Sequence, residues 1–109
     1  MSTLKDLAIQ YFETFSRKDT AGLSALFADN VVVRDWEISA QGKTDVLATN
    51  QSIFDKVDTI VVTPLAVYED GNTVAAELEV LINGDTKLLV VDVITFEGDK
   101  ISSLRAYKG

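Results

Sequence analysis

The chain has 109 residues, of which 17 are acidic and 10 are basic, and its formal net charge at pH 7 is −7. This length suits one domain with one core, and the lack of a Lys/Arg cluster argues against nucleic acid or an anionic membrane as partner. Because the chain has no cysteine and no histidine, disulfides, histidine-based triads and imidazole-ligated zinc are excluded, and acid–base chemistry falls to carboxylates, tyrosine or lysine.

No targeting or membrane segment is evident in the sequence. The N-terminus, MSTLKDLAIQ, has no apolar signal-peptide region. The apolar runs are far shorter than the roughly 20 residues that a membrane helix needs. We therefore expect a soluble, cytoplasmic protein with a single domain over residues 1–109.

The first predicted element is an amphipathic helix that runs to about Arg17. Thr3 and Asp6 form a weak capping box, and apolar residues then recur at spacings of three and four. Tyr11 lies on this apolar stripe, where a core tyrosine with its hydroxyl at the edge is one interpretation and a site residue is the other. The stripe consists of Leu4, Leu7, Ala8, Tyr11, Phe12 and Phe15.

A second, short helix and the first strand are predicted next. Asp19 can cap this helix, and Phe27 is among its inward-facing residues. We expect the segment 28–30, Ala-Asp-Asn, to break the helix, and the three valines at 31–33 to begin a strand.

The end of this strand, Arg34-Asp35-Trp36, is the first candidate for chemistry. Asp35 alternates with Val31 and Val33, so its side chain should point the same way as theirs. A carboxylate at a strand end beside a large aromatic residue suits a general base in a pocket. It suits a turn-forming aspartate equally well.

A third helix and a four-stranded meander complete the chain. The helix is predicted over about Thr44 to Phe54, and its polar middle can line a mouth or an interface. Pro64 indicates an edge position or a bulge in the strand that follows. Turn signals separate strands at about Val57–Tyr68, Thr73–Asn83, Thr86–Glu97 and Lys100–Tyr107.

The most apolar stretch of the chain, LLVVDVITF at 88–96, contains one ionisable residue, Asp92. Both faces of this strand are apolar, so we expect both to be covered. A carboxyl group here loses hydration, and it either gains a partner or its pKa rises until it keeps its proton. The alternative is a structural aspartate held by backbone donors or by Arg105.

The order of the elements predicts an α+β fold. A curved, mainly antiparallel sheet would form a cone, with three N-terminal helices packed on its concave face and a cavity between them. The apolar outer face of the strands would be covered most simply by a second copy of the chain, in a homodimer through the sheet.

Three segments carry a resemblance to a known family: ALFADNVVVRD, QGKTDV and DVITFEGDKISSLRAY. They resemble the SnoaL-like and ketosteroid isomerase-like members of the nuclear transport factor 2-like superfamily. In ketosteroid isomerases a tyrosine of helix one and a protonated aspartate of the penultimate strand form an oxyanion hole, and an aspartate ending the first strand transfers the proton. Tyr11, Asp92 and Asp35 occupy the corresponding places in these motifs.

This resemblance implies proton transfer next to the carbonyl group of a small apolar substrate, in an isomerase-like reaction that needs no metal and no organic cofactor. Asp35 would move the proton, while Tyr11 and protonated Asp92 would donate hydrogen bonds to the enolate oxygen. A non-catalytic homodimeric binding module for a small hydrophobic ligand is the alternative, with Asp92 and Tyr11 orienting the ligand. The expected apolar substrate contacts are Phe15, Phe27, Trp36 and Phe54.

Overall fold

A computed structural model describes residues 3–109. Within this range the chain forms three helices and six strands, and the strands form one sheet in the order β2-β1-β6-β5-β4-β3. No helix in the same range is both long enough and apolar enough to cross a membrane. The elements are α1 (Leu4–Ser16), α2 (Thr20–Leu26), β1 (Phe27–Arg34), β2 (Ser39–Gln41), α3 (Lys43–Lys56), β3 (Ile60–Asp70), β4 (Thr73–Ile82), β5 (Thr86–Glu97) and β6 (Lys100–Lys108).

The sheet is mixed but mostly antiparallel. Strands β3 to β6 form an antiparallel meander, β1 pairs in parallel with β6, and β2 pairs antiparallel with β1. Helix α1 packs against β3 and β4, and α3 packs against β1 and β2, so both helices cover the same face. The α+β fold with a curved sheet and three helices is therefore confirmed.

The core lies between the helices and the concave face of the sheet. The capping box of α1 is confirmed, because Thr3 Oγ1 accepts a hydrogen bond from the Asp6 backbone N–H at 3.1 Å and Asp6 Oδ2 accepts one from the Thr3 backbone N–H at 3.2 Å. The largest fully buried side chains, Phe12 and Phe27, come from α1 and from the start of β1. The apolar stripe of α1 thus faces the sheet, as its spacing predicts.

One prediction about β1 is wrong, and one neighbouring strand was not predicted. The segment 28–30 does not separate α2 from the strand, because β1 already begins at Phe27, which pairs with Ile101 on β6. A register shift between Phe27 and Val32 accommodates this segment within the strand. The sequence analysis also missed β2, whose three residues are too few to show an alternating pattern.

The prediction for Pro64 is confirmed. Strand β3 is at the edge of the sheet, and its register with β4 shifts between Pro64 and Ala66. An edge strand with a bulge tolerates proline because the missing N–H group interrupts no central ladder.

Two side chains hold the helices in position over the sheet. Ser16 Oγ, at the end of α1, donates a hydrogen bond to the Phe12 carbonyl at 2.8 Å and accepts one from the Val62 N–H of β3 at 2.9 Å. Lys18 Nζ donates to three backbone carbonyls at the end of α3, those of Phe54, Val57 and Asp58, at 3.0, 2.6 and 3.1 Å. A cation at this position satisfies carbonyls that the helix leaves unpaired and complements the helix dipole.

We predict that Lys18→Met lowers the free energy of unfolding by about 2 kcal/mol, because three carbonyl groups lose a charged donor. Urea denaturation followed by circular dichroism measures this change. The matched control is Lys56→Met in the last turn of α3, where the side chain is exposed and the change should stay within about 0.5 kcal/mol. Equal destabilisation by the two variants would contradict the capping role of Lys18.

Candidate active site

A cavity of about 400 Å³ lies between the helices and the concave face of the sheet. Its walls come from α1, α3, the turn that follows β1, and strands β3 to β6. Most of the lining side chains are aliphatic or aromatic, and they include Phe12, Val62, Leu78, Val90 and Leu104.

The structure brings together the three acid–base candidates at this cavity. Tyr11 of α1, Asp35 just after β1 and Asp92 of β5 all line it. They are far apart in the sequence and are assembled by the packing of α1 onto the sheet and by the pairing of β1 and β5 with β6.

Asp92 is a buried carboxyl group, with 7% of its surface exposed. It lies opposite Ala76 on β4 and Ala106 on β6, whose small side chains leave room beside it. Burial, and secondly the negative charge of Asp35, raise the pKa of Asp92 to about 7. In the described part of the chain its carboxyl group has no hydrogen-bond donor. Arg105 is not its partner, because Arg105 is exposed and pairs in register with Val93, one residue along and on the other face.

Tyr11 is held by aromatic neighbours. Its ring centroid lies 5.6 Å from that of Phe12, 5.9 Å from that of Phe15 and 6.0 Å from that of Phe27. Burial, and secondly the negative charge of Asp92, raise the pKa of Tyr11 well above its ordinary value. The hydroxyl group therefore stays protonated at neutral pH, and no residue among 3–109 forms a hydrogen bond with it, so it can donate to a ligand.

Asp35 both forms a turn and lines the cavity, so neither interpretation of this residue excludes the other. Its Oδ1 atom accepts hydrogen bonds from the backbone N–H groups of Glu37 at 2.7 Å and Ile38 at 2.6 Å, and its own N–H donates to the Ile38 carbonyl at 2.9 Å. These bonds orient the carboxylate. The second oxygen, Oδ2, accepts no hydrogen bond from any described residue and can act on a ligand.

The four aromatic residues expected to contact substrate divide into two pairs. Phe15 and Trp36 line the cavity, and Trp36 is 43% exposed, which is consistent with a place at the rim. Phe27 and Phe54 are buried and are not among the lining residues of the described chain. Phe27 packs on Tyr11, and Phe54 lies 4.9 Å from Phe15 between ring centroids. An effect of this second pair on a ligand would pass through Tyr11 and Phe15.

Several cavity residues were not predicted from the sequence. Those with the longest polar or charged side chains are Glu37, Asn50 and Lys108. The polar middle of α3 was a signal for Asn50, but nothing in the sequence showed that this side chain is buried. Among residues 3–109 no three or more acidic side chains are grouped so that they could hold a metal ion.

Comparison with known proteins places these features in a family. The family model of the SnoaL-like domain matches residues 8–104. A search of curated proteins found no match.

Many solved structures share the fold. A proposed polyketide cyclase from Sinorhizobium meliloti is 24% identical, with 93% of each chain covered and a TM-score of 0.84. A proposed ketosteroid isomerase from Kribbella flavida is 22% identical, with 97% of this chain and 77% of the other covered and a TM-score of 0.86. An epoxide hydrolase from M. tuberculosis is 14% identical, with 97% and 82% covered and a TM-score of 0.86.

At these identities the structural likeness shows the fold alone, and the three relatives differ in their named activities. The family match is more specific, because it spans most of the chain and includes Tyr11, Asp35 and Asp92. The chain belongs to the family of SnoaL-like domains.

Proposed function

We propose that this protein is a cofactor-free acid–base catalyst that moves a proton next to the carbonyl group of a small apolar substrate, in an isomerase-like reaction. The observation that carries the proposal is the grouping of Tyr11, Asp35 and Asp92 around one apolar cavity, where Asp92 is buried and has no hydrogen-bond partner among residues 3–109. Two carboxyl groups in different environments can take the different roles of base and hydrogen-bond donor.

In this mechanism Asp35 Oδ2 removes a proton from the carbon next to the carbonyl group and returns it to another carbon. Tyr11 and protonated Asp92 donate hydrogen bonds to the oxygen, which becomes negative as the enolate forms. Preorganised donors in a site that excludes water stabilise such a charge most strongly. The turn that orients Asp35 keeps the base in one position during both transfers.

The cavity supports a small, largely apolar substrate. Its volume of about 400 Å³ lies in the usual range of sites for small molecules. Two structural relatives, a proposed ketosteroid isomerase and a proposed polyketide cyclase, have activities that are consistent with carbonyl substrates. A β,γ-unsaturated ketone is a suitable probe, because its isomerisation to the conjugated enone changes its ultraviolet absorption.

A binding module without catalysis is the second candidate. It is favoured by the hydrogen bonds that Asp35 makes within its own turn, which give this aspartate a structural role without chemistry. In that case Tyr11 and Asp92 would only orient a bound ligand. Loss of turnover with retention of binding separates the two functions.

For the catalytic function we predict that Asp35→Asn lowers the isomerisation rate about 10²- to 10⁴-fold, the usual contribution of a general base, with binding of the product retained. Asparagine keeps an oxygen that can accept the two turn hydrogen bonds, so the fold should persist. The assay follows enone formation from a β,γ-unsaturated ketosteroid and from the smaller 3-cyclohexenone.

The matched control is Glu37→Gln, which removes a carboxylate from the same cavity wall and should leave the rate almost unchanged. A wild-type protein that binds the enones but does not turn over either ketone would support the binding module. Equal rate losses in the two variants would contradict a specific role for Asp35.

We predict that Asp92 keeps its proton up to about pH 7 in the folded protein and that its raised pKa makes the fold less stable as the pH rises towards that value. The pKa of Asp92 in the folded protein is about 7, against 3.8 for the ordinary group. The folded state therefore binds more protons than the unfolded state between about pH 4 and 7, so the free energy of unfolding falls as pH rises through this window. The full decrease is up to about 4 kcal/mol.

Asp92→Asn should abolish this decrease, since an amide does not titrate, and should be more stable than wild type at pH 8. Urea denaturation at pH 5 and pH 8 measures the difference. The turnover rate of wild type should also fall above pH 7, as the donor becomes a carboxylate, whereas the variant keeps an N–H donor and loses this pH dependence. Parallel pH profiles of stability in the two proteins would contradict a buried acid at this position.

The partner that we propose for the outer, convex face of the sheet is a second copy of the chain. Leu89 and Val91 on β5 and Tyr107 on β6 are 55%, 38% and 49% exposed in the single chain. Glu77 lies on β4 opposite Val91, and Arg105 is on β6. The face therefore carries charges of both signs around apolar residues, and it can be self-complementary across a twofold axis.

The cytoplasmic location also stays a prediction.

We predict that sedimentation equilibrium gives the mass of a dimer for the wild type and that of a monomer for Val91→Glu. Glutamate at this position would put two like charges close together in the apolar interface. The control is Thr44→Glu at the exposed start of α3, which should remain dimeric. A monomeric wild type would contradict the homodimer.

A further inference from the structure

Asn50, in the middle of α3, has a hydrogen-bond donor that nothing in the described chain uses. The residue is 5% exposed and lines the cavity, and its Nδ2 atom is buried without a hydrogen-bond partner among residues 3–109. Buried polar groups in folded proteins are almost always paired, because an unpaired one loses its bonds to water without replacement. An unused donor on a side chain that lines a cavity is therefore a candidate ligand contact.

Other polar groups of α3 are engaged outside the cavity. Gln51, the next residue, accepts a hydrogen bond from the Thr20 hydroxyl at 2.9 Å and donates one to Asp55 at 2.9 Å. Asn50 makes no such bond within the described chain. A leucine could fill the same place without leaving a buried polar group unpaired.

Asn50 lines the cavity from a different wall than Tyr11. Helix α3 packs against β1 and β2, and α1 packs against β3 and β4, on opposite halves of the sheet. In the proposed function Tyr11 and Asp92 together fill the two lone-pair positions of the substrate's carbonyl oxygen. Asn50 then requires a different acceptor atom.

We propose that Asn50 Nδ2 binds a second acceptor oxygen of the substrate, so that the substrate class is carbonyl compounds with a further carbonyl, ester or ether oxygen on an otherwise apolar skeleton. This inference rests on the proposed function, because it assigns the first oxygen to Tyr11 and Asp92. It makes Asn50 a specificity-determining residue that selects doubly oxygenated ligands and fixes their orientation in the cavity.

The test uses planar aromatic alcohols as analogues of the enolate, with 2-naphthol as the parent compound. Two matched pairs carry either a methoxy or an ethyl group at position 6 or 7, so each pair differs only in one ether oxygen. Isothermal titration calorimetry at pH 6, where Asp92 keeps its proton, measures the affinity of each compound. The proteins are wild type, Asn50→Leu, the control Thr49→Val, and Tyr11→Phe.

We expect that, at one of the two positions, the ratio of methoxy to ethyl affinity falls about five- to tenfold in Asn50→Leu, which corresponds to the loss of one hydrogen bond. Thr49 is half-buried and lines the same cavity, and Thr49→Val should leave the ratio unchanged. A ratio that Asn50→Leu leaves unchanged at both positions would overturn the proposal.

The parent compound tests the premise separately. Weaker binding of 2-naphthol by Tyr11→Phe supports the first oxygen site whatever the ratio shows. If wild type does not bind 2-naphthol, or if Tyr11→Phe binds it equally well, the proposed function fails and the inference about Asn50 fails with it. A failure confined to the methoxy-to-ethyl ratio rejects only the second oxygen site.

Two further measurements distinguish a ligand contact from a structural role. Asn50→Leu should raise the Tm, since an unpaired buried donor is replaced by an apolar group, whereas a fall in Tm would reveal a structural partner and overturn the proposal. In the wild type, the side-chain amide protons of Asn50 should shift in nuclear magnetic resonance spectra with a methoxy compound and not with its ethyl counterpart. Equal shifts with both would also overturn it.

Discussion

The burial of one carboxyl group, Asp92, is the constraint on which the cavity depends. An ionised aspartate on the concave face would lose hydration without a compensating donor from the described residues, so the group keeps its proton up to about pH 7. Of the two alanines opposite it, Ala106 on β6 lines the cavity and Ala76 on β4 is fully buried. A larger residue at position 106 would fill part of the cavity beside the carboxyl group.

The helices that close the cavity are held by bonds at their ends. The Ser16 hydroxyl connects the end of α1 to β3, and the Lys18 ammonium group connects the following turn to the end of α3. Ser16 and Lys18 are not among the lining residues of the described chain, whereas Tyr11 and Asn50, in the middles of α1 and α3, line the cavity. Stability and ligand contact are thus separated along each helix.

Much of the fold could be predicted from the sequence, because hydrophobic periodicity and turn residues are local signals. Strand β5 was predicted with its observed bounds, and Asp35 and Val33, which alternation predicts to point the same way, both line the cavity. The start of β1 was missed because its pairing with Ile101 is a long-range contact. Asn50 could not be identified, since helix periodicity does not show which polar residue lies over a cavity. Periodicity likewise assigned Phe27 and Phe54 to the interior. It could not show that they pack behind the residues that line the cavity.

The two faces of the sheet place opposite demands on β5. Its concave side carries the polar group that is expensive to bury, and its convex side carries Leu89 and Val91, apolar groups that the single chain leaves exposed. Covering the convex face would bury apolar area and add stability. The concave face loses stability to a carboxyl group and an amide that have no hydrogen-bond partner in the described part of the chain. Association through the sheet would therefore offset the energetic cost of a preorganised cavity. Because Asp92 and Val91 are adjacent residues on one strand, a twofold interface would also hold in place the backbone that positions the acid.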